Sequence, residues 1–385
     1  MRPVLRPVRR WIALPLALLA GCDAVSGGDI PVGIAGPLSL ANGRSMKLAA
    51  EMAVAEINAG GGIDGRALRL VMRDDEGDRH KAIPVAGYLR DSTGVVAVIG
   101  HVNSAATLAA AKIYNEEEGE HDSAPVAQIS PASSSPLVTG AGDWTFRVCP
   151  SDLQHGRVVA QHAFARLGKR RAAVLYTNDE YGRGVSESFA EAFRTAGGQV
   201  VAQDPYLPAT VKDIGAVDPY LLRALRSGMD ALVIAGQADD GIRVVREARR
   251  LGFTGPVVGG DGMTGAKDAG ADADGIFVSS AFIPDRSSEA AQAFVRAYRQ
   301  KYNEEPDHRG AMTYDAIKLV AKAIQAEGTD RRAIRDYLAK VGVEGSGVGA
   351  YEGVSGRIAF DRNGDVPGKE VAMGVVRGGR LVTVR

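Results

Sequence analysis

Short apolar runs and helical spacings of apolar residues alternate along most of the chain. Residues 95–99 (VVAVI) form a continuous apolar run, which is typical of a parallel strand buried on both faces. Asn103 and Ser104 then open a helix in which apolar residues recur at helical spacing. Strands are also predicted at residues 30–34, 67–73 and 124–129, and helices at residues 42–59 and 80–91. Strands that alternate with helices predict a parallel, doubly wound sheet.

The alternation restarts after residue 150, which predicts a second unit of the same kind. Strands are expected at 172–177, 199–206, 231–235, 256–259 and 275–281, with helices at 152–167, 184–195, 219–226 and 239–251. Helices at 288–302, 310–326 and 331–341 follow in near succession. The last strands, 357–360 and 371–376, are predicted to form a hairpin around a turn at 361–365. The predicted fold class is therefore α/β, with two doubly wound parallel sheets.

Small hydroxyl-bearing residues follow two neighbouring strands of the first unit. Ser104 follows the strand at 95–99, and Ala132, Ser133 and Ser134 follow the strand at 124–129. A helix N-terminus with free N–H groups favours an anion, and ligands of open α/β sheets bind outside the carboxyl ends of the strands. Each serine taken alone is more often a helix cap or a turn residue. A carboxylate site therefore requires that the two loops converge.

Charge and motifs exclude several classes of function. Lys+Arg and Asp+Glu both number 46 in 385 residues, so there is no basic excess to neutralise phosphates and no nucleic-acid partner is expected. Gly60, Gly62 and Gly65 match G-x-G-x-x-G, but they follow a helix and precede a strand, the reverse of a dinucleotide site. The sequence has no G-x-S-x-G elbow, no P-loop and no metal-ligand spacing among its histidines. We therefore predict no catalytic residue, no cofactor and no metal.

The N-terminus carries a targeting signal that lies outside the fold. Basic residues precede about ten apolar residues, too few to span a bilayer. Leu19-Ala20-Gly21-Cys22 resembles the lipobox of bacterial lipoproteins, which implies a signal peptide at 1–21, acylation of Cys22 and a tether at 22–28. Asp23 resembles the signal for retention at the inner membrane. The alternative is a plain secretory leader. With Cys22 acylated, Cys149 has no partner for an internal disulfide.

Separate stretches of the chain resemble one family, the periplasmic solute-binding proteins of the branched-chain amino-acid (Leu/Ile/Val) type. The stretches fall in the family's order, at residues 36–78, 95–107, 128–136, 177–184 and 257–262. The resemblance implies a type I periplasmic binding protein fold, in which three crossing strands join two lobes that close on a ligand. It also implies delivery to an inner-membrane ABC permease. The expected lobes are residues 29–149 plus 282–351, and residues 150–281 plus 352–385.

The resemblance also assigns ligand contacts. It implies that Ser104 and the loop Ala132-Ser133-Ser134 hold the α-carboxylate of an amino acid, that Asp261 holds its α-ammonium, and that Tyr181 closes over it. The sequence pattern is consistent with the role of Asp261, which follows the predicted strand at 256–259. A carboxylate buried at that strand end would need a cation. The alternatives are a turn-forming Asp261 before Gly262 and simple loop packing for Tyr181.

Departures from the family concern the ligand side chain. Asn42 and Gln237 stand where the family often has aromatic residues, and Asp261 is one methylene shorter than the Glu of the branched-chain binders. Two amides make the pocket more polar or roomier, which argues against a leucine-like ligand. Two rival functions stay open, an enzyme and a membrane-tethered sensor that regulates a partner protein. Turnover of an amino acid or amide would favour the first, whereas neighbouring permease and ATPase genes would favour transport over sensing.

Overall fold

The computed structural model describes residues 28–117, 124–285 and 288–384. The predicted signal peptide, Cys22 and nearly all of the tether lie outside this part of the chain. Within it, no helix combines the length and apolar character needed to cross a membrane. Cys149 is buried and free.

The first sheet is parallel throughout, and its strand order is β2-β1-β3-β4-β5. Its strands are β1 Ile30–Gly36, β2 Leu68–Asp74, β3 Val98–Ile99, β4 Gln128–Ser130 and β5 Thr145–Arg147. The helices that connect them are α1 Ala41–Ala59, α2 Arg79–Ser92 and α3 Ser104–Tyr114. Strand β3 is shorter than predicted. Val95, Val96 and Ala97 are buried, but only Val98 and Ile99 pair with the neighbouring strands β1 and β4. The doubly wound sheet is confirmed.

The second sheet repeats this order. Its strands are β6 Arg171–Thr177, β7 Gln199–Tyr206, β8 Ala231–Ala235, β9 Val257–Gly259, β10 Phe277–Ser280, β13 Ala372–Arg377 and β14 Arg380–Thr383. The order β14-β13-β10-β9-β8-β6-β7 contains β7-β6-β8-β9-β10, which corresponds to β2-β1-β3-β4-β5. Its helices are α4 Asp152–Gln161, α5 Glu180–Thr195, α6 Asp218–Arg226 and α7 Ala238–Arg250, with a π-helical turn at His162–Arg166 and a 3₁₀ segment at Asp261–Ala273. Strand β13 pairs antiparallel with both of its neighbours, β10 and β14.

The predicted C-terminal hairpin is wrong. After α8 Glu289–Tyr302, α9 His308–Glu327 and α10 Arg331–Leu338, strand β12 Gly356–Ile358 pairs with β11 Tyr351–Gly353. Strand β13 instead pairs with β10 and β14. The two predicted partners belong to different cores, because Ile358 and Phe360 pack into the first core while Val376 and Leu381 pack into the second. A pattern of apolar residues does not tell which of two similar cores a strand will join.

Each sheet has its own core, and the chain crosses between them three times. In the first core, Met46 of α1 and Ile317 of α9 pack with Ile34 and Ile99 of the sheet. The crossings follow Arg147, follow Ser280 and lie between β12 and β13. The predicted architecture of two α/β lobes with three crossings is therefore confirmed. We call the lobe of β1–β5 the first lobe and the lobe of β6–β10 the second lobe.

Candidate ligand-binding site

The predicted site residues follow strand ends on both sides of a topological switch point. In a sheet of order 2-1-3-4-5, the connections after the first and third strands leave in opposite directions and open a crevice between them. In the first lobe, Asn42 follows β1 and Ser104 follows β3. In the second lobe, Tyr181 follows β6, Gln237 follows β8 and Asp261 follows β9. Because both sheets have the same strand order, each lobe has one such crevice at the carboxyl ends of its strands.

Ser104, Tyr181, Gln237 and Asp261 meet in one narrow cleft between the lobes. Its walls are formed by Val102, Asn103, Ser104, Ala132, Tyr181, Gln237, Asp261, Gly262, His308 and Arg309. The free space in the cleft is about 10 Å³, enough for roughly one water molecule, so the lobes are closed. A second cavity of about 210 Å³ adjoins it and shares Gln237, Gly262 and Arg309. Asn42 lines that second cavity rather than the cleft.

The first-lobe wall is a hydroxyl-rich loop fixed to the start of α3. The Ser104 hydroxyl accepts a hydrogen bond from the Ser135 N–H at 3.2 Å, so Ser104 joins the two loops instead of capping its own helix. Asn103 stands at the N-cap without a capping hydrogen bond. The Ser133 hydroxyl donates to the Val102 carbonyl at 2.9 Å and lies behind the cleft. The Ser134 hydroxyl is buried and has no hydrogen-bond partner of good geometry among the described residues.

The second-lobe wall is built around Asp261 and Tyr181. The Tyr181 hydroxyl donates to Asp261 Oδ1 at 2.9 Å and accepts from the Gly262 N–H at 2.7 Å. A Cβ on Gly260 or Gly262 would lie 2.7 Å from that hydroxyl, which explains the glycines on both sides of Asp261. The Asp261 side chain is therefore oriented by Tyr181 and does not serve as a simple turn residue.

Two histidines flank the Asp261 carboxylate. His155 Nε2 and His308 Nε2 each lie 3.7 Å from Asp261 Oδ2. Burial lowers the pKa of His308 to about 4 and also lowers the pKa of His155, so both rings are neutral at pH 7. Burial would raise the pKa of Asp261, but the charges of His155 and His308 in their protonated forms at low pH, the charge of Arg309 and the Tyr181 hydrogen bond hold it below its usual value. The cleft thus contains an ionised carboxylate whose two closest basic neighbours are uncharged at neutral pH.

A second buried carboxyl belongs to Asp152, in the first turn of α4. Both of its oxygens are buried and without a hydrogen-bond partner of good geometry among the described residues. Burial, and then the charge of Asp261, raise the pKa of Asp152 well above its usual value, and the nearby Ser134 hydroxyl only partly opposes this shift. Asp152 is therefore protonated more readily than an ordinary carboxyl, whereas Asp261 is protonated less readily.

Arg309, at the start of α9, connects the two lobes. Its Nη2 donates to Gln237 Oε1 at 3.1 Å, and its Nη1 donates to Thr264 Oγ1 at 3.2 Å. His308 Nδ1 also lies 3.3 Å from Thr264 Oγ1. Because α9 packs on the first core and Gln237 and Thr264 belong to the second lobe, these contacts exist only while the cleft is closed.

Sequence reasoning missed Asp152, His155, His308 and Arg309. Each lies in the first two turns of a helix that begins beside a crossing or faces the opposite lobe. One signal was present, since polar residues at helix starts interrupt the apolar pattern there. Nothing in the periodicity says which helix start faces the cleft. No group of acidic, histidine or cysteine side chains suited to a metal occurs in the described ranges.

Comparison with known proteins agrees with the fold. The family model described as periplasmic binding protein matches residues 31–380. The Leu/Ile/Val-binding protein homolog 1 of Brucella abortus is 28% identical over 360 residues, which cover 92% of this chain and 91% of that protein.

Solved structures of substrate-binding proteins have the same fold. An ABC transporter substrate-binding protein from Desulfitobacterium hafniense in complex with leucine has a TM-score of 0.76 at 32% identity, with 92% of this chain and 100% of that chain covered. A branched-chain amino acid transporter substrate binding protein from Streptococcus pneumoniae in complex with isoleucine has a TM-score of 0.81 at 29% identity, with 92% and 99% covered. The chain therefore belongs to the periplasmic binding protein family.

Proposed function

We propose that this protein is an extracytoplasmic solute-binding lipoprotein that captures an amino acid between its lobes and delivers it to an inner-membrane ABC importer. The observation that carries the proposal is the meeting of two opposite chemistries in one closed cleft. The first lobe contributes the Ser104 hydroxyl and the N-terminus of α3, and the second lobe contributes the ionised Asp261. An α-amino acid carries the complementary pair of charges. The names of the relatives, which include Leu/Ile/Val-binding proteins, support the same class of ligand.

In this proposal the α-carboxylate lies against Ser104 and the loop of Ala132, Ser133 and Ser134. The helix N-terminus favours a negative charge there, and the Ser134 hydroxyl supplies a donor. Ser133 supports the loop through the bond from its hydroxyl to Val102. The carboxylate is thus held largely by neutral donors.

The α-ammonium lies against Asp261, and Tyr181 holds that carboxylate in place. A buried ionised carboxylate is costly without a cation, because its charge has lost the hydration it has in water. A ligand ammonium supplies that cation at the position that neutral His155 and His308 leave unmatched. Asn42 and Gln237 then line the space for the ligand side chain.

Binding requires the cleft to open, because about 10 Å³ does not admit an amino acid. The three crossings are the natural hinge, and opening breaks the contacts from α9 to Gln237 and Thr264. We assign residues 29–149 plus 282–366 to the first lobe and 150–281 plus 372–385 to the second; the boundary expected at residue 351 lies further along the chain, because Ile358, Phe360 and Val366 pack into the first core. The acyl group on Cys22, with the tether at 22–28, would hold the protein at the periplasmic face of the inner membrane.

A thermal-shift screen of the mature protein tests the proposal. Amino acids, amides, small acids and purines are added separately, and the melting temperature is followed. A ligand present at 100 times its Kd stabilises the folded state by about 2.7 kcal/mol. We expect at least one α-amino acid to raise the melting temperature, and its decarboxylated and deaminated analogues to have no effect. Stabilisation by an analogue that lacks the ammonium, equal to that by the amino acid, would contradict the proposal.

A further inference from the structure

The 210 Å³ cavity beside the cleft is lined by residues with buried polar atoms that have no hydrogen-bond partner in the part of the chain that the structure describes. Arg309, Gln237 and Asn42 line it, and Arg309 and Gln237 also line the cleft itself. A ligand held by its α-carboxylate and α-ammonium would extend its side chain towards these residues. This inference rests on the proposed function.

Arg309 is the most constrained of these groups. It is only 4% exposed, and its Nη atoms are bound to Gln237, Thr264 and Asp307. Its Nε, however, is buried without a hydrogen-bond acceptor among the described residues. A buried donor of a charged group that remains unpaired is costly, so this position favours a ligand atom that accepts a hydrogen bond.

Asn42 provides the complementary group. Its Oδ1 is also buried and unpaired among the described residues. An amide turned by about 180° presents its NH₂ group in place of its oxygen, so Asn42 can either accept or donate. A side chain that satisfies both Arg309 and Asn42 must therefore contain an acceptor together with a second polar atom. A branched aliphatic side chain leaves both unpaired.

The charges around Arg309 favour a neutral ligand group. Arg309 Nη1 lies 3.2 Å from Asp307 Oδ2, so its positive charge is already matched. Burial would raise the pKa of Asp307, but Arg309 and His308 together with the Gly310 N–H lower it, and Asp307 is ionised. A second carboxylate on the ligand would add a negative charge beside Asp307 and Asp261, and the other cations that line the cavity, Arg44 and Lys267, are already paired with Glu304 and Asp268.

We infer that the ligand is an α-amino acid whose side chain ends in a carboxamide, and that Arg309 and Asn42 determine this specificity. The carboxamide oxygen accepts from Arg309 Nε, and its NH₂ group donates to Asn42 Oδ1. Both unpaired groups are then satisfied, and no charge is added.

Isosteric ligands test this assignment by calorimetry on the mature protein. Asparagine, aspartate and leucine share one branched skeleton and differ only in ending with an amide, a carboxylate or two methyl groups. Glutamine and glutamate extend the comparison by one carbon. We expect the better of asparagine and glutamine to bind at least about 100-fold more tightly than leucine and than its own acid, because a site built for hydrogen bonds rejects a ligand that lacks them. Tighter binding of leucine or of either acid would overturn the inference.

Two variants test the residues themselves. Arg309→Lys retains the charge but removes the Nε donor, and Asn42→Leu removes the amide. Each should reduce the ratio of amide to leucine affinity and the ratio of amide to alanine affinity at least tenfold. Ratios are compared because Arg309→Lys also changes the contacts to Gln237 and Thr264 that accompany closure on any ligand. Arg246→Met should leave both ratios unchanged, because Arg246 is an exposed arginine of the second lobe that is paired with Asp272. Equal weakening of all amino acids in Arg309→Lys would make Arg309 only a latch between the lobes and would overturn its assignment.

The alanine titration separates the two proposals. Binding of alanine or leucine without any preference for amides removes the carboxamide assignment and leaves amino-acid capture intact. Failure of every α-amino acid to bind removes both.

Discussion

Replacing Asp261 with asparagine removes the charge that the second lobe presents to the cleft and retains the shape of the side chain. The amide oxygen of the variant can still accept the hydrogen bond that the Tyr181 hydroxyl donates at 2.9 Å. The glycines beside it keep the space that Tyr181 needs. Because a neutral amide costs less to bury than a carboxylate, we expect the free variant to unfold at the same temperature as the parent or higher. Any loss of binding is then separate from loss of folding.

The expected loss follows from the bond that the ammonium makes. A hydrogen bond to a charged group contributes about 1.5–3 kcal/mol, which corresponds to a Kd raised about 10- to 150-fold. The upper part of this range applies when the remaining neighbours cannot replace the charge. His155 Nε2 and His308 Nε2 each lie 3.7 Å from Asp261 Oδ2, and both rings are neutral at pH 7. Neither ring can therefore supply the negative charge that the substitution removes.

Isothermal titration calorimetry with the best amino acid from the thermal screen measures the effect. Asp272→Asn is the matched control, because Asp272 lies in the same 3₁₀ segment but is half exposed and paired with Arg246 at 2.7 Å. It should leave the Kd within twofold. An Asp261→Asn variant that binds within twofold of the parent, with an unchanged melting temperature, would show that Asp261 does not meet the ammonium.

Three further predictions concern pH, stability and membrane attachment. Burial in the closed structure lowers the pKa of His308 to about 4, so protonation of His308 opposes the closed state, and we expect ligand affinity to fall as the pH drops from about 6.5 towards 4. Calorimetry should show a weaker fall in His308→Asn. Affinity that rises on acidification would contradict this reasoning. Burial raises the pKa of Asp152, so the parent protein is destabilised as the pH rises and this carboxyl must ionise in the native state. The melting temperature of Asp152→Asn minus that of the parent should therefore increase from about pH 4 to about pH 8. A difference that stays constant with pH would refute this. Cys22→Ser should move the protein from the membrane fraction to the soluble periplasmic fraction, whereas Cys149→Ser should not, and a membrane-bound Cys22→Ser protein would argue against acylation of that thiol.

The strands and helices were predictable where a local pattern decides the structure. The predicted bounds of β7 and β8, 199–206 and 231–235, are those in the structure; β8 in particular is buried in the middle of the sheet and must be apolar along its length. The same logic failed at the C-terminus. There, β12 and β13 have similar patterns but join different sheets, and the choice depends on which core receives Phe360 or Val376.

The candidate site divides in the same way. Ser104 and Asp261 could be predicted because each closely follows a strand, and strand ends share an edge of a sheet. Arg309 could not, because it lies at the start of a helix 45 residues after Thr264, and only the closed arrangement of the lobes brings the two side chains within 3.2 Å. The resemblance to a family located the loops, but it did not locate side chains that reach the cleft from α4 and α9.

The residues that escaped prediction also explain why closure and recognition depend on one another. In the closed cleft Asp261 is ionised beside neutral histidines, and Arg309 has a donor with no partner among the described residues. Separation of the two walls would admit water to Asp261 and Arg309, which line the cleft, and a charge or an unpaired donor costs little in water. A ligand can shift the protein towards the closed state only by the free energy with which it binds that state better. The groups that are poorly satisfied in the closed cleft are therefore the ones whose pairing by a ligand would favour closure. A molecule that pairs Asp261 but leaves Arg309 unpaired should bind more weakly and close the lobes less completely than one that pairs both.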